Sequence, residues 1–144
     1  MHKLFEQIMN VFYAITAFPN LIITIALFAL VVFSIYKSKW KNILGNKYFW
    51  TLIIAFFLFP LLILISGVIG SNAKLPFDES RGYFIKQTIF IHLFFYMNIV
   101  FAVFVILKSK AAKIFYISFS LLNLWISLMC FAFSLLMTCN NVFI

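Results

Sequence analysis

One ionisable side chain stands well inside an apolar stretch of this 144-residue chain, His92. With Thr88 and Tyr96 it forms an i, i+4, i+8 row, which on a helix is a single ridge. An ionisable group at membrane depth marks a functional site by default, as a proton carrier or a ligand contact. In the topology derived below, His92 shares one half of the bilayer with Asn20 and Cys130, so His92, Asn20 and Tyr96 form the candidate polar pocket. The plainer role for a neutral imidazole there is a hydrogen bond to a serine or a carbonyl on a neighbouring helix. Asn98 points about 120° away from His92 around a helix and is assigned to a different contact.

A second pattern lies near the C-terminus. Ser120, Asn123, Ser127, Cys130, Ser134 and Thr138 are spaced 3, 4, 3, 4 and 4, which confines them to an arc of about 80° on an α-helix. Small and hydroxyl-bearing side chains let helices approach closely and hydrogen-bond across the contact, so the stripe is expected to face another helix as a packing or partner interface. Ser66-x-x-x-Gly70 and Gly67-x-x-x-Ser71 offer similar faces. Tyr13, Thr16, Ala17, Asn20 and Thr24 share a further side, with Pro19 expected to bend the helix beside them.

Other chemistries have no candidate residues. The three acids, Glu6, Asp78 and Glu79, all lie outside the apolar stretches, so proton coupling through a membrane carboxylate and carboxylate catalysis within the bilayer are not expected. Cys130 and Cys139 are nine residues apart on one helix, about 13 Å, which is beyond disulfide reach. Two histidines and two isolated cysteines do not make a zinc site. The expectation is a non-enzymatic protein with no cofactor and no metal.

The elements that carry these residues follow from composition. The chain is 66% hydrophobic and 10% charged, against roughly 45–50% and about 25% in soluble domains. Four uncharged stretches, 11–36, 49–69, 88–107 and 114–137, each reach the roughly 20 residues a helix needs to cross the hydrocarbon core. None carries the polar face that a helix of a soluble bundle requires. The predicted fold class is an all-α integral membrane protein with four transmembrane helices in one domain covering 1–144. The first stretch is too long for a secretory signal and ends in Tyr36-Lys37-Ser38-Lys39, which is the flank of a retained span. The final four residues match no prenylation signal.

Seven basic residues, Lys37, Lys39, Lys41, Lys47, Lys108, Lys110 and Lys113, occupy the two connectors on one side. Lys3, Lys74, Arg81, Lys86 and all three acids fall on the other. The positive-inside rule then places both lysine connectors in the cytoplasm and both termini outside, in a multi-pass protein of the cell (inner) membrane. Tyr36, Trp40, Tyr48, Trp50 and Tyr116 would form an interfacial aromatic belt at the inner boundary. The net charge of +8 is read as topology signal and attraction to the lipid bilayer, with no nucleic acid as partner. The segment from Asn72 to Tyr83, with Asp78, Glu79 and Arg81, is the one mixed-charge cluster and the candidate outer recognition loop.

A shift of 71 residues aligns Val32-Phe33-Ser34-Ile35-Tyr36-Lys37-Ser38-Lys39 with Val103-Phe104-Val105-Ile106-Leu107-Lys108-Ser109-Lys110. Duplication of a two-span hairpin would give two parallel copies related by an axis along the membrane normal. Small multidrug exporters share the size but require a membrane glutamate that this chain lacks. Immunity proteins against pore-forming bacteriocins are likewise small, basic and polytopic, a likeness of architecture with no shared motif. The expected function is packing against another membrane protein, or against further copies of the chain, as an accessory subunit or an immunity-type blocker of a membrane-active toxin. The alternative is a small oligomeric transporter or channel subunit, with His92, Asn20 and Asn123 lining its path.

Overall fold

The computed structural model describes the backbone of residues 2–72, 77–109 and 112–143 and the side chains of 3–69, 88–109 and 112–136. Among them every regular element is an α-helix: α1 (His2–Thr16), α2 (Asn20–Ser38), α3 (Trp40–Leu44), α4 (Phe49–Asn72), α5 (Phe77–Lys108) and α6 (Lys113–Phe143). Four segments are long and apolar enough to cross a membrane: Asn20–Ser38, Phe49–Ile69, Thr88–Lys108 and Lys113–Leu136. They make the chain a multi-pass membrane protein by length and composition.

The last three spans overlie the stretches read from the sequence, on helices that extend past them: α4 runs to Asn72, α5 begins at Phe77 and α6 runs to Phe143. The first span departs from its stretch. The single helix predicted over 11–36 is broken at residues 17–19, so the crossing segment starts at Asn20 and α1 is a separate element. Pro19 has no N–H to donate and disfavours helical backbone in the residue before it, and here those effects end the helix where only a bend was predicted. Two side chains from the start of α2 take up carbonyls that the end of α1 leaves open. The Asn20 amide donates to Ala14 O at 3.1 Å, and the Thr24 hydroxyl donates to Ile15 O at 2.8 Å.

Leu4, Ile8, Val11 and Ile15 recur at helical spacing on α1 and turn inward, whereas Phe5, Phe12 and Tyr13 remain exposed. α1 lies against α2, α4 and α6. The organising element is α6, which packs along α4, α5 and α2, while α4 and α5 also pack on each other. α2 is peripheral, with 11% of its span buried against 33% for α4 and for α6.

Two apolar clusters fill the bundle. One, toward the lysine connectors, gathers Val31, Ile43, Leu52, Val105, Phe115 and Tyr116. The other, toward the opposite end, gathers Val11, Ile15, Ile63, Leu64, Ile91 and Cys130.

The lysine connectors are pinned to the bundle. The Tyr116 hydroxyl donates to Ile43 O at 3.1 Å, both residues being fully buried, and the Asn46 amide donates to Ser109 Oγ at 3.2 Å. Tyr116 therefore leaves the predicted aromatic belt: its ring fills the core and its hydroxyl holds α3. Tyr36, Trp40 and Trp50 are exposed at that end, as interfacial aromatics are. The two segments aligned by the 71-residue shift lead into different structures. After α2 the chain forms α3, and after α5 it turns into α6 within four residues.

Candidate functional site

Inside a membrane, apolar helices gain little from leaving lipid for one another. Close packing and interhelical hydrogen bonds decide which faces meet. The stripe on α6 supplies both, and it is directed at α4 and α5 of the same chain. Asn98 of α5 donates its amide to Ser127 Oγ at 2.8 Å, Asn123 donates its amide to Asn98 Oδ1 at 3.0 Å, and Ser127 donates its hydroxyl to Asn123 Oδ1 at 3.3 Å. The three bonds close a ring, and all three residues are fully buried. Along the helices this polar layer falls between the two apolar clusters, where an unpaired amide would be costly and a closed ring is stabilising.

One turn beyond Cys130, Ser134 marks a close approach of α4 and α6. Its hydroxyl donates to Ile63 O at 2.9 Å. A Cβ placed on Gly67 would stand 2.7 Å from Ser134 Cβ and 2.9 Å from its Cα. Gly67 is thus required here because any side chain would push the two backbones apart. Ser66 is buried, with its hydroxyl returned to Leu62 O at 2.9 Å. Cys130 lies in the apolar cluster beside Ile63 and Ile91. Ser120 is buried too, and its Oγ has no hydrogen-bond partner. The segment expected to be an outer recognition loop is largely helical: α4 runs to Asn72 and α5 begins at Phe77, so Asp78, Glu79 and Arg81 lie on the first turns of α5. Their side chains lie outside the described residues, as do the contacts of Gly70 and the side chain of Thr138.

Of the polar-pocket residues, His92 and Tyr96 meet, and Asn20 is engaged elsewhere. The His92 ring stacks on Tyr96 at 5.7 Å and meets Phe131 edge-on at 5.0 Å, so the imidazole sits in an aromatic group on α5 and α6. Tyr96 is exposed on the outer surface of α5. Asn20 is engaged at the α1–α2 break. No hydrogen bond or ring contact among the described residues joins Asn20 to His92 or Tyr96.

Two features escaped the sequence reading. Asn98 was set apart because it does not share a face with His92, yet it is the residue that Asn123 and Ser127 meet. A lone carboxamide in an otherwise apolar span was the available signal, since such a group must find a partner on another helix. The second feature is a lateral cleft of about 490 Å³ between α2 and α4. Leu122 and Ile126 of α6 and Val11 of α1 line its depth, and the exposed Phe28, Phe57 and Leu61 line its mouth. Its polar lining residue Thr24 is already bonded to Ile15 O and to Trp125 Nε1–H, the latter at 3.0 Å.

Comparison with protein-family models, curated proteins and solved structures finds no match to this chain.

Proposed function

We propose that this is a non-enzymatic membrane protein that works by packing against a helix of another membrane protein, as an accessory subunit or an immunity-type blocker. The observation that carries this reading is the cleft between α2 and α4. It is apolar, it opens to the side of the bundle through the exposed Phe28, Phe57 and Leu61, and α1, α2 and α4 wall it over a floor of α6. The buried polar groups of α6 are engaged within the chain or enclosed by it, so partner contact falls to the cleft and to the start of α5 with Asp78, Glu79 and Arg81. The transporter reading draws less support, because Asn123 is closed in the ring, His92 is set among aromatics and Asn20 is bound to α1.

The same reading places the lysine connectors in the cytoplasm and both termini outside, in the cell membrane, on the strength of the seven-to-four lysine and arginine bias. It takes the two halves as descendants of one hairpin on the strength of the 71-residue match, since diverged in connector and packing.

The test is site-specific photocrosslinking in native membranes. A crosslinker at Phe28 or Leu61, on the cleft, is expected to capture one defined protein, and a crosslinker at Val100, on the exposed face of α5, is not. Filling the cleft with Leu61→Trp should abolish the capture at Phe28. Equal capture from Val100, or capture that survives Leu61→Trp, would refute the cleft as the partner site.

A further inference from the structure

At the lysine end the structure forms a second concavity that the packing function does not use. Its volume is about 480 Å³, and it lies between the α2–α4 connector and the end of α5. Lys41 of α3, Lys47 just ahead of α4 and Lys108, the last residue of α5, all line it, together with Asn42, Asn46 and Tyr48. No acid shares this end of the bundle: Glu6 lies on α1, and Asp78 and Glu79 at the start of α5, all at the opposite ends of the spans. Three lysines, two from the α2–α4 segment and one from the end of α5, therefore line one concavity without an acid at that end.

The framework beneath them is fixed. Asn46 bridges the two connectors through its bond to Ser109, and its Oδ1 accepts the backbone N–H of Tyr48 at 2.9 Å. Ile43, in the middle of α3, is fully buried and held by Tyr116. Two of the ammonium groups rest on aromatic faces, Lys47 Nζ at 5.2 Å from the Tyr48 ring centre and Lys108 Nζ at 5.9 Å from that of Phe104. The exposed rings of Trp40 and Trp50 flank this level and set it at the height of the lipid headgroups.

We infer that this concavity is a binding site for a phosphate group, supplied by the headgroup of an anionic phospholipid. A phosphate diester presents negative charge on acceptor oxygens and no donors, which is the complement of a concavity lined by three lysines. Basic pockets between membrane helices hold lipid headgroups by this chemistry. The site sits at the N-terminal end of α4, a 24-residue helix whose dipole adds positive potential there. The inference is independent of what occupies the α2–α4 cleft.

The experiment uses the full chain purified in detergent, in two arms. Native mass spectrometry reads retention of added phosphatidylglycerol against phosphatidylcholine, and phosphorus NMR reads binding of inorganic phosphate. Both are repeated on the triple variant Lys41→Gln, Lys47→Gln, Lys108→Gln and on a control that removes equal charge next to the site, Lys37→Gln, Lys39→Gln, Lys113→Gln. All six side chains are at the exposed surface or outside the bundle core, so folding is preserved. The wild type is expected to retain phosphatidylglycerol in preference to phosphatidylcholine. The site triple should weaken retention by about tenfold or more, at roughly a few-fold per lysine, and the control by much less. If only inorganic phosphate binding depends on the site triple, the site stands and its ligand is free phosphate. If neither arm distinguishes the two triples, the lysines act as diffuse surface charge and the inference is wrong.

Discussion

The two sides of α6 are held by different physics. Toward α4 and α5 the contact is polar and close, with Gly67 against Ser134 and the ring of Asn98, Asn123 and Ser127. Toward α2 it is apolar and sparse, with Val31 buried and one interhelical bond, from Trp125 Nε1–H to Thr24 Oγ1. The difference teaches where specificity comes from in a chain this hydrophobic. Apolar side chains face lipid and protein almost equally well, so the few polar and small residues decide which helices are fixed and which stay peripheral. α4, α5 and α6 form a locked unit, α2 lies along it as an arm, and α1 sets Val11 and Ile15 into the unit's second apolar cluster.

Perturbations of the two sides should therefore differ in size. The largest effect is expected from Gly67→Leu, which drives a side chain into Ser134 and should cost about 2–3 kcal/mol or more in reversible unfolding in mixed micelles. Asn123→Leu comes next, since it leaves the buried Asn98 Oδ1 without its donor and the Ser127 hydroxyl without its acceptor while the Asn98–Ser127 bond remains, at about 1–3 kcal/mol in the same assay. Adding Asn98→Leu to it should cost clearly less than the two single changes summed, because the ring is already broken. Tyr116→Phe removes the bond that holds α3 and should cost about 1 kcal/mol, with faster proteolysis of the connector as a second readout. Trp125→Phe, on the α2 side, should cost the least, about 0.6 kcal/mol. A Trp125 effect as large as that of Asn123 would erase the distinction between locked unit and arm.

Much of the architecture was legible because membrane burial writes itself as uninterrupted hydrophobicity. The three spans on α4, α5 and α6 could be read as elements from uncharged stretches, most closely at the lysine ends, where Lys47, Lys108 and Lys113 bound them. The first span was misread because hydropathy does not register a broken backbone: residues 11–36 are uncharged throughout, and Pro19 with the capping residues Asn20 and Thr24 carries the signal of a break. Periodicity placed Ser120, Asn123, Ser127 and Ser134 on one face of α6. It could not say which helix lay opposite, because that depends on tertiary pairing, and so the partner Asn98 went unassigned. Tyr116 shows the same limit, since an aromatic beside a lysine connector reads as interfacial whether its ring faces lipid or core. The α2–α4 cleft has no sequence signature at all, because it arises from two helices both choosing α6 as neighbour.

The most direct test of the locked unit and its lateral arm is pulsed electron paramagnetic resonance on the full chain in nanodiscs. One spin-label pair would span the cleft, at Phe28 of α2 and Leu61 of α4. The other would report the locked unit, at Ile54 of α4 and Val100 of α5, all four positions being exposed. The expected result is a narrow distance distribution for Ile54 with Val100 and a broad one for Phe28 with Leu61. Equally narrow distributions for both pairs would contradict the account, because α2 would then be fixed as firmly as α4, α5 and α6.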